Sequence, residues 1–306
     1  KREVSFQELI EVLSKVPEFS ELPVRHNEDC MNEELSKLVP YKVDMRSLDS
    51  PFTKTHLLLQ AHFSRVPLPI VDYLTDTKLV LDQSARIVHG MVDICAEVGT
   101  LETTLKIMTL SQMMVQGQWY NDSSLLNVPG LDIQEISKLF YSKHKIEILA
   151  QLLETNSKNL RQALEELEIL MSQEDKKDFF KSLEQLPLMK VTWTANKEDS
   201  EEESLWEDET TFVPGSVVAL QVKIQKLNRP SVRPLFNKTG RLQEIGFWLV
   251  AGCRNSNKVL ALKRFQLPKR TQTEFSLSVE VPEDPLISLY LMNDSYLGLD
   301  QQYNIS

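Results

Sequence analysis

The spacing of apolar residues changes once along the chain, near residue 190. Before that point apolar positions recur every three or four residues, in runs that short Pro- or Ser-containing segments interrupt, and this period is typical of helices. After it, apolar and polar positions alternate, as in 220–225, 274–281 and 287–292, which is typical of strands. The pattern therefore predicts a helical half followed by a β half.

Two of the predicted helices are sharply defined. One spans 52–65, with Ser50 as its N-cap and Pro51 at the first helical position. The longest spans 75–98, and its apolar positions form two adjacent seams that cover most of its circumference, which predicts packing against several neighbours. The seams are Leu81, Ala85, Val88, Val92 and Cys95, and Ser84, Ile87, Met91, Ile94 and Val98.

A polar stripe remains on this longest helix. Its members follow one another at steps of three or four residues and therefore share one face. A polar face on an otherwise apolar helix either reaches solvent or lines a channel. The stripe consists of Lys78, Asp82, Arg86, His89, Asp93 and Glu97.

The β half contains six segments that the pattern marks as strands. These segments are 191–193, 220–225, 246–252, 258–264, 274–281 and 287–292. About seven short strands of this kind favour an antiparallel sandwich of immunoglobulin or fibronectin type. The predicted fold class is multidomain, α then β, with a helical bundle over 1–122, a helix-loop-helix domain over 123–190 and a β-sandwich over 191–306.

Charge is distributed unevenly between these parts. The chain has 34 Lys and Arg against 44 Asp and Glu, a net charge of -10, which argues against a phosphate-binding surface spread over the whole molecule. Segment 197–210 holds eight acids and one lysine, and it is predicted to be a loop inside the first strand connection. Without that loop the sandwich has 12 basic and 7 acidic residues, a charge of +5.

Eight basic residues of the sandwich form a candidate surface for docking an acidic partner. They are equally consistent with charges that protect strand edges and maintain solubility. The eight are Lys223, Arg229, Arg233, Arg241, Lys263, Arg264, Lys269 and Arg270.

Residue patterns for catalysis are missing from the sequence. Its nine glycines form neither a GxxxxGK[ST] nor a GxGxxG motif, so nucleotide hydrolysis is not encoded. His26 with Cys30, and His56 with His62, lack the further ligands that zinc requires. Three widely spaced cysteines fit a reducing compartment, and no apolar run approaches the roughly 20 residues of a membrane span. We expect no enzyme activity, no metal and no membrane contact from this chain.

The sequence SSLLNVPGLDI at 123–133 has the hydrophobic-Pro-Gly-hydrophobic turn of a helix-hairpin-helix. Versions that bind nucleic acid have a second glycine soon after, so that backbone amides reach a phosphate. Here Asp132 lies near that place, and its carboxylate would repel the phosphate. The segment is therefore predicted to be a structural helix turn.

Four segments together resemble one known family. They are SPFTKTHLLLQAHFSR at 50–65, TDTKLVLDQSARIVHGMVDICAEVG at 75–99, LSQMMVQGQWYNDSSLLNVPGLD at 110–132 and YLMNDSYLGLDQQYNIS at 290–306. In this order they resemble the Sec sixty-three (Sec63) homology unit of the large Ski-two-like helicases, over nearly the whole chain. The segment at 50–65 and LGLDQQY resemble the branch of the activating signal cointegrator complex more than the spliceosomal branch. The chain resembles the second of the two tandem cassettes of such helicases.

The resemblance implies a unit that follows two RecA-like motor domains and a winged helix. ATP and Mg would be bound by those motor domains and not by this chain. Helix 75–98 matches the ratchet helix of the family, so Lys78, Arg86 and His89 would face a single strand of RNA or DNA. The three acids of the same stripe depart from that role, because they repel phosphates.

Several readings stay open at this point. The first is a non-catalytic accessory module of an ATP-dependent RNA or DNA helicase, with regulatory and docking surfaces for the motor domains of the same polypeptide and for other subunits of a complex. The second is a pure protein-interaction scaffold that touches no nucleic acid. The homologous units of the spliceosomal helicase and of the endoplasmic-reticulum translocon protein are further alternatives. The helicase reading implies a location in nucleus and cytoplasm.

Overall fold

A computed structural model describes residues 3–131, 136–154, 158–197, 214–283 and 286–305. Helices occupy the first part of the chain, as the pattern predicts. The α-helices are α1 Phe6–Ser14, α2 Glu28–Ser36, α3 Pro51–Ser64, α4 Val71–Val98, α5 Leu101–Gln116, α6 Lys158–Leu170 and α7 Gln173–Gln185. Between α5 and α6 lie a π-helical segment, Ile136–His144, and a 3₁₀ turn, Leu149–Leu153.

The start of α3 follows the prediction residue by residue. Ser50 has extended backbone angles and accepts a hydrogen bond from the Phe52 amide, and Pro51 opens the helix. Helix α4 ends at Val98, as predicted, but it begins at Val71, about one turn earlier than the sequence indicates. Gly99 stops it with a left-handed φ of 80°, a conformation that glycine adopts without steric cost.

The prediction that both apolar seams of α4 are buried is wrong at its C-terminal end. Ile94 and Val98 are 64% and 69% exposed. Leu81, Val88 and Val92 are buried and pack into the core of the helical bundle. Which part of an apolar seam is covered depends on the elements that pack against the helix, and spacing within the helix does not report where those elements lie.

Seven strands follow the helices and form two antiparallel sheets. The strands are β1 Met189–Lys197, β2 Val217–Lys226, β3 Gly246–Cys253, β4 Lys258–Gln266, β5 Gln272–Glu280, β6 Ile287–Asn293 and β7 Gln301–Asn304, as far as the described residues extend. The three-stranded sheet has the order β1-β2-β5, and the four-stranded sheet has the order β4-β3-β6-β7. The first six strands fall on the six predicted segments. The short β7 pairs with the edge of β6 and was not singled out by its pattern.

The two central strands of the four-stranded sheet, β3 and β6, are buried on both faces. In β3, Phe247 and Leu249 belong to the core shared with the other sheet, whereas Trp248 and Val250 belong to the core of the helical bundle. Every residue of β6 is buried, including the positions that alternate with its inward apolar residues. The sheet therefore acts as a shared wall between two hydrophobic cores.

Close approach of helix and sheet requires a glycine in β3. A side chain at Gly252 would place its Cβ 2.6 Å from Cδ1 of Leu101. The first turn of α5 is fixed there by the Leu101 amide, which donates to the Asn257 carbonyl at 3.1 Å. The turn after α4 thus rests directly on the β3–β4 hairpin.

Two sequence predictions concern residues that are only partly described. The segment 124–130 forms turns that end at Gly130, where φ is 77°, in agreement with a structural turn. Asp132 lies outside the described residues, and so does the predicted acidic loop apart from Lys197. The three-part division at 122 and 190 stays a prediction.

A buried ionic cluster fixes the N-terminal part of α4. Lys54 is fully buried, and its Nζ donates to Oε2 of Glu28 at 2.6 Å, to Oδ2 of Asp76 at 2.7 Å and to the Pro23 carbonyl at 2.7 Å. Arg25 donates to the same two carboxylates. Burial by itself raises the pKa of Glu28 and of Asp76, but the bonds from Lys54 and Arg25 outweigh it, so both pKa values lie below their ordinary range.

Replacing Lys54 tests this cluster. Lys54→Met retains the length of the side chain but removes the fully buried one of the two cations that Glu28 and Asp76 share, so we expect a loss of about 3 kcal/mol in the free energy of unfolding. Denaturant titration measures it. Lys15→Met is the matched control, since Lys15 also contacts a carboxylate at 2.6 Å but is 64% exposed. Equal losses in the two variants would contradict the role assigned to Lys54.

A second polar network joins α5 to the turn between β6 and β7. The Asp300 carboxylate accepts hydrogen bonds from Nε2 of Gln112 at 2.9 Å, and from the amide and Nδ2 of Asn293, both at 3.0 Å. Burial raises the pKa of Asp300 to about 7 despite these bonds. The junction of helix and sheet therefore contains a carboxyl group that titrates near neutral pH.

This junction predicts a pH dependence of stability. The folded chain holds a proton on Asp300 that the unfolded chain releases near the ordinary pKa of 3.8, so stability falls as pH rises from about 4 to about 7. The expected slope from this group is at most about 1.4 kcal/mol per pH unit. Denaturant titrations at several pH values should show that Asp300→Asn flattens the slope, and an unchanged slope would exclude the effect.

Candidate functional site

The polar stripe of α4 faces the four-stranded sheet. One wall of the intervening cleft is α4 around Arg86, His89 and Asp93, and the other is formed by β3, β4 and residues 241–246. Its volume is about 740 Å³. The sequence left open whether the stripe reaches solvent or lines a channel. The structure shows that the C-terminal half of the stripe lines a cleft.

Arg264 of β4 crosses the cleft and binds α4. Its Nη2 lies 2.9 Å from Oδ1 of Asp93 and donates to the His89 carbonyl at 3.3 Å. Its guanidinium carbon also lies 5.8 Å from the centre of the Trp248 ring. Arg264, one of the eight residues of the predicted docking surface, therefore already binds groups of this same chain.

His89 lies against the indole ring of Trp248. The two rings meet edge to face, with centroids 5.4 Å apart. Burial lowers the pKa of His89, and the nearby Arg264 cation lowers it further. The imidazole is thus neutral at pH 7, so it offers a ring face and a hydrogen bond, but no positive charge for a phosphate.

Asp294 forms part of the cleft wall. It is 7% exposed, and burial raises the pKa of its carboxyl to about 6. Gly246 leaves room for it, because a Cβ at that position would lie 2.5 Å from Oδ2 of Asp294. Together with Asp93 and Glu244, this carboxylate balances the three arginines that line the cleft.

Arg241 separates this cleft from a second cavity along α4. Its Nη1 donates to the Asp82 carbonyl at 3.2 Å. On the far side lies Lys78, in a cavity of about 540 Å³ that Arg65 and Lys238 also line. The structure therefore brings Arg86 and His89 together but places Lys78 about two turns of helix away, roughly 12 Å along the axis.

Comparison with known proteins identifies the family of this chain. The family model described as the Sec63 Brl domain matches residues 1–306. The chain belongs to the Sec63 family.

The relatives of this Sec63 chain are proteins much longer than the chain itself. It is 37% identical over its whole length to activating signal cointegrator 1 complex subunit 3 of Rattus norvegicus, and 35% identical to that of Homo sapiens. It is 28% identical, over 97% of its length, to the U5 small nuclear ribonucleoprotein 200 kDa helicase of Mus musculus. The chain spans only 13% to 15% of the length of these relatives. The resemblance found in the four sequence segments is thereby confirmed.

The eight basic residues of the sandwich do not form one surface. All eight are exposed. Arg241 and Arg264 line the cleft, whereas Lys223 lies on the three-stranded sheet, 4.0 Å from Glu274. Lys263 is the cross-strand partner of Leu249, which faces the other sheet, so it points away from Arg264. The remaining members lie in connections: Arg229 and Arg233 between β2 and β3, and Lys269 and Arg270 between β4 and β5.

Four residues of these sites were not marked by the sequence. Trp248 and Asp294 complete the cleft, and Arg65 and Lys238 complete the second cavity. A tryptophan in a strand of otherwise continuous apolar residues is a signal for a doubly buried strand. The other three contribute through contacts distant in sequence, and no local pattern shows them. Within the described ranges no group of His, Cys, Asp and Glu is arranged to hold a metal, and no helix is long and apolar enough to cross a membrane.

The environment of His89 gives a test of the cleft geometry. We expect that Arg264→Gln raises the pKa of His89 toward its ordinary value, because a nearby cation is lost and Asp93 is left unpaired. NMR titration of the histidine ring measures this change. Lys263→Gln is the matched control, since it removes the neighbouring charge on the opposite face of β4 and should not move the pKa. A pKa of His89 unchanged by Arg264→Gln would show that the two side chains are apart in solution.

Proposed function

We propose that this chain is a non-catalytic accessory module of an ATP-dependent RNA or DNA helicase. The observation that carries the proposal is the match of the Sec63 family over all 306 residues, together with relatives whose names include the word helicase. One of these is the DExH-box ATP-dependent RNA helicase DExH14 of Arabidopsis thaliana, 33% identical over 99% of the chain. The motor domains, with their ATP and Mg, would then lie in other parts of the same polypeptide.

The module would act by supporting the motor and by offering docking and regulatory surfaces to it and to other subunits. The two-sided burial of β3 and β6 supports this role, because it joins the helical core and the core between the sheets. The strand order β1-β2-β5 against β4-β3-β6-β7 further supports a sandwich of immunoglobulin or fibronectin type. Residence in nucleus and cytoplasm is part of the same proposal.

A direct contact with single-stranded RNA or DNA is proposed at the cleft. Arg86 is exposed, lines the cleft and has no ion-pair partner among the described residues, so it is free to contact a phosphate. His89 lies three positions further along the same face and presents a neutral ring. A base stacks on such a ring without any need for charge.

A pure protein-interaction scaffold is the second candidate. It is favoured by the charge balance of the cleft, where Arg264 already pairs with Asp93 and three carboxylates accompany three arginines. A strand would have to compete with these contacts. The two candidates differ in whether Arg86 contributes to nucleic-acid binding.

The test uses the full-length helicase that the proposal implies. Arg86→Gln removes one phosphate contact, so the slope of log affinity for single-stranded RNA against log salt should fall by about one. RNA unwinding should slow, while ATP hydrolysis without RNA should stay unchanged. Titrations at several salt concentrations and a strand-displacement assay measure these quantities.

Arg254→Gln is the matched control, because Arg254 is equally exposed but lies in the hairpin at the other end of β3. If both variants behave like the parent protein, the proposed contact of Arg86 with single-stranded RNA is wrong. The protein-interaction scaffold is then the favoured function. A full-length protein without nucleotide-binding motifs would overturn the accessory role itself.

A further inference from the structure

The second cavity along α4 has an unusual charge composition. Three cationic side chains line it, from three different elements: Arg65 after α3, Lys78 on α4 and Lys238 in the β2–β3 connection. Among the residues that the structure describes, no aspartate or glutamate lines it. Asp122 acts electrostatically on Arg65 but is not among the lining residues, so the described lining itself presents positive charge to an anion.

The two lysines have no counter-ion among the described residues. Neither Lys78 nor Lys238 forms an ion pair within the part of the chain that the structure describes, and both are exposed. Arg65 donates through Nε and Nη2 to the Gly117 carbonyl, the Asn127 side chain and neighbouring groups, and its bonds there include no carboxylate. The two lysines are therefore available to a ligand, whereas the Arg65 guanidinium already binds backbone and side-chain oxygens and lies in the field of Asp122.

The cationic corner is held rigidly in place. The Arg65 Nε donates to the Gly117 carbonyl at 2.7 Å, and the Lys238 amide donates to the Val115 carbonyl at 2.7 Å, so the Arg65 side chain and the Lys238 backbone are fixed on the end of α5. Gly117 has no Cβ, and one placed there would lie 3.2 Å from Cβ of Lys238. A site that is already ordered loses little entropy when a ligand binds.

Part of the cavity wall is apolar. It contains Val66, Pro67, Leu68 and Leu74, of which Leu74 is 60% exposed. The volume of about 540 Å³ lies in the range of cavities that hold small organic molecules. The cavity thus combines cationic and apolar side chains.

We propose that this cavity binds the phosphate group of an organic phosphate of nucleotide size, with Arg65, Lys78 and Lys238 around the phosphate and the apolar wall against the organic part. Lysine and arginine are the side chains that recognise phosphate. The site differs from the cleft at Arg86 and His89, from which Arg241 separates it. It does not depend on the proposed helicase function, because small anions suffice to test it.

The test uses the complete 306-residue chain with pyrophosphate and with ADP as probes. Isothermal titration calorimetry at low salt should show one site for each probe, with weaker binding as salt increases. Lys78→Ala and Lys238→Ala should each weaken binding about tenfold, the equivalent of one charge-assisted hydrogen bond. Both side chains are exposed and form no ion pair within the described ranges, so these variants leave the fold intact.

Lys263→Ala is the matched control and should bind both probes as the parent chain does. The proposal is overturned if neither probe binds at millimolar concentration, or if Lys263→Ala weakens binding as much as Lys238→Ala. ADP that binds no more tightly than pyrophosphate would remove the role of the apolar wall.

A separate arm identifies the source of the phosphate. A single-stranded RNA 12-mer is titrated with and without a 5′ phosphate, in the presence or absence of pyrophosphate. Competition by pyrophosphate, together with a loss in Lys238→Ala, assigns the site to the phosphate of a strand. If pyrophosphate does not affect RNA binding while ADP still binds, the cavity is a site for a free nucleotide. Whether the cleft binds a strand is then decided by the Arg86→Gln experiment.

Discussion

The structure depends on the burial of two strands, β3 and β6, on both faces of their sheet. Strands β3 and β6 contact the second sheet on one side and the helical bundle on the other, so removing either neighbour would expose a continuous apolar surface. Helices and sheets are consequently not independent bodies connected by a linker. The position of α4 relative to β4, and hence the cleft, follows from this packing.

Polar contacts decide where the helices sit on that wall. Apolar packing has little directional preference, whereas a buried charge must meet its partners at defined positions. Lys54 fixes the N-terminal part of α4 through Asp76, and Gln112 fixes α5 through Asp300. Because both attachments are buried, the polar stripe of α4 is held toward the sheet and cannot rotate freely toward solvent.

This arrangement gives the two cavities along α4 different chemistry. In the cleft, arginines are matched by carboxylates, and Trp248 supports a neutral histidine. In the second cavity the cations have no matching acid in the lining. The net charge of -10 therefore says little about local binding, since sites a few helical turns apart differ in sign and in degree of neutralisation.

The sequence by itself determined the order of helices and strands, the cap at Ser50 and the shared face of Arg86 and His89, because these depend on residues a few positions apart. The four quoted segments also showed the resemblance to the Sec63 family. Only the tertiary structure decided that Tyr290 and Met292 are buried, that Ile94 is exposed, and that the basic residues of the sandwich separate onto different surfaces. These outcomes depend on which elements meet, and contacts between residues more than a hundred positions apart, such as Arg264 with Asp93, leave no periodic pattern in the sequence.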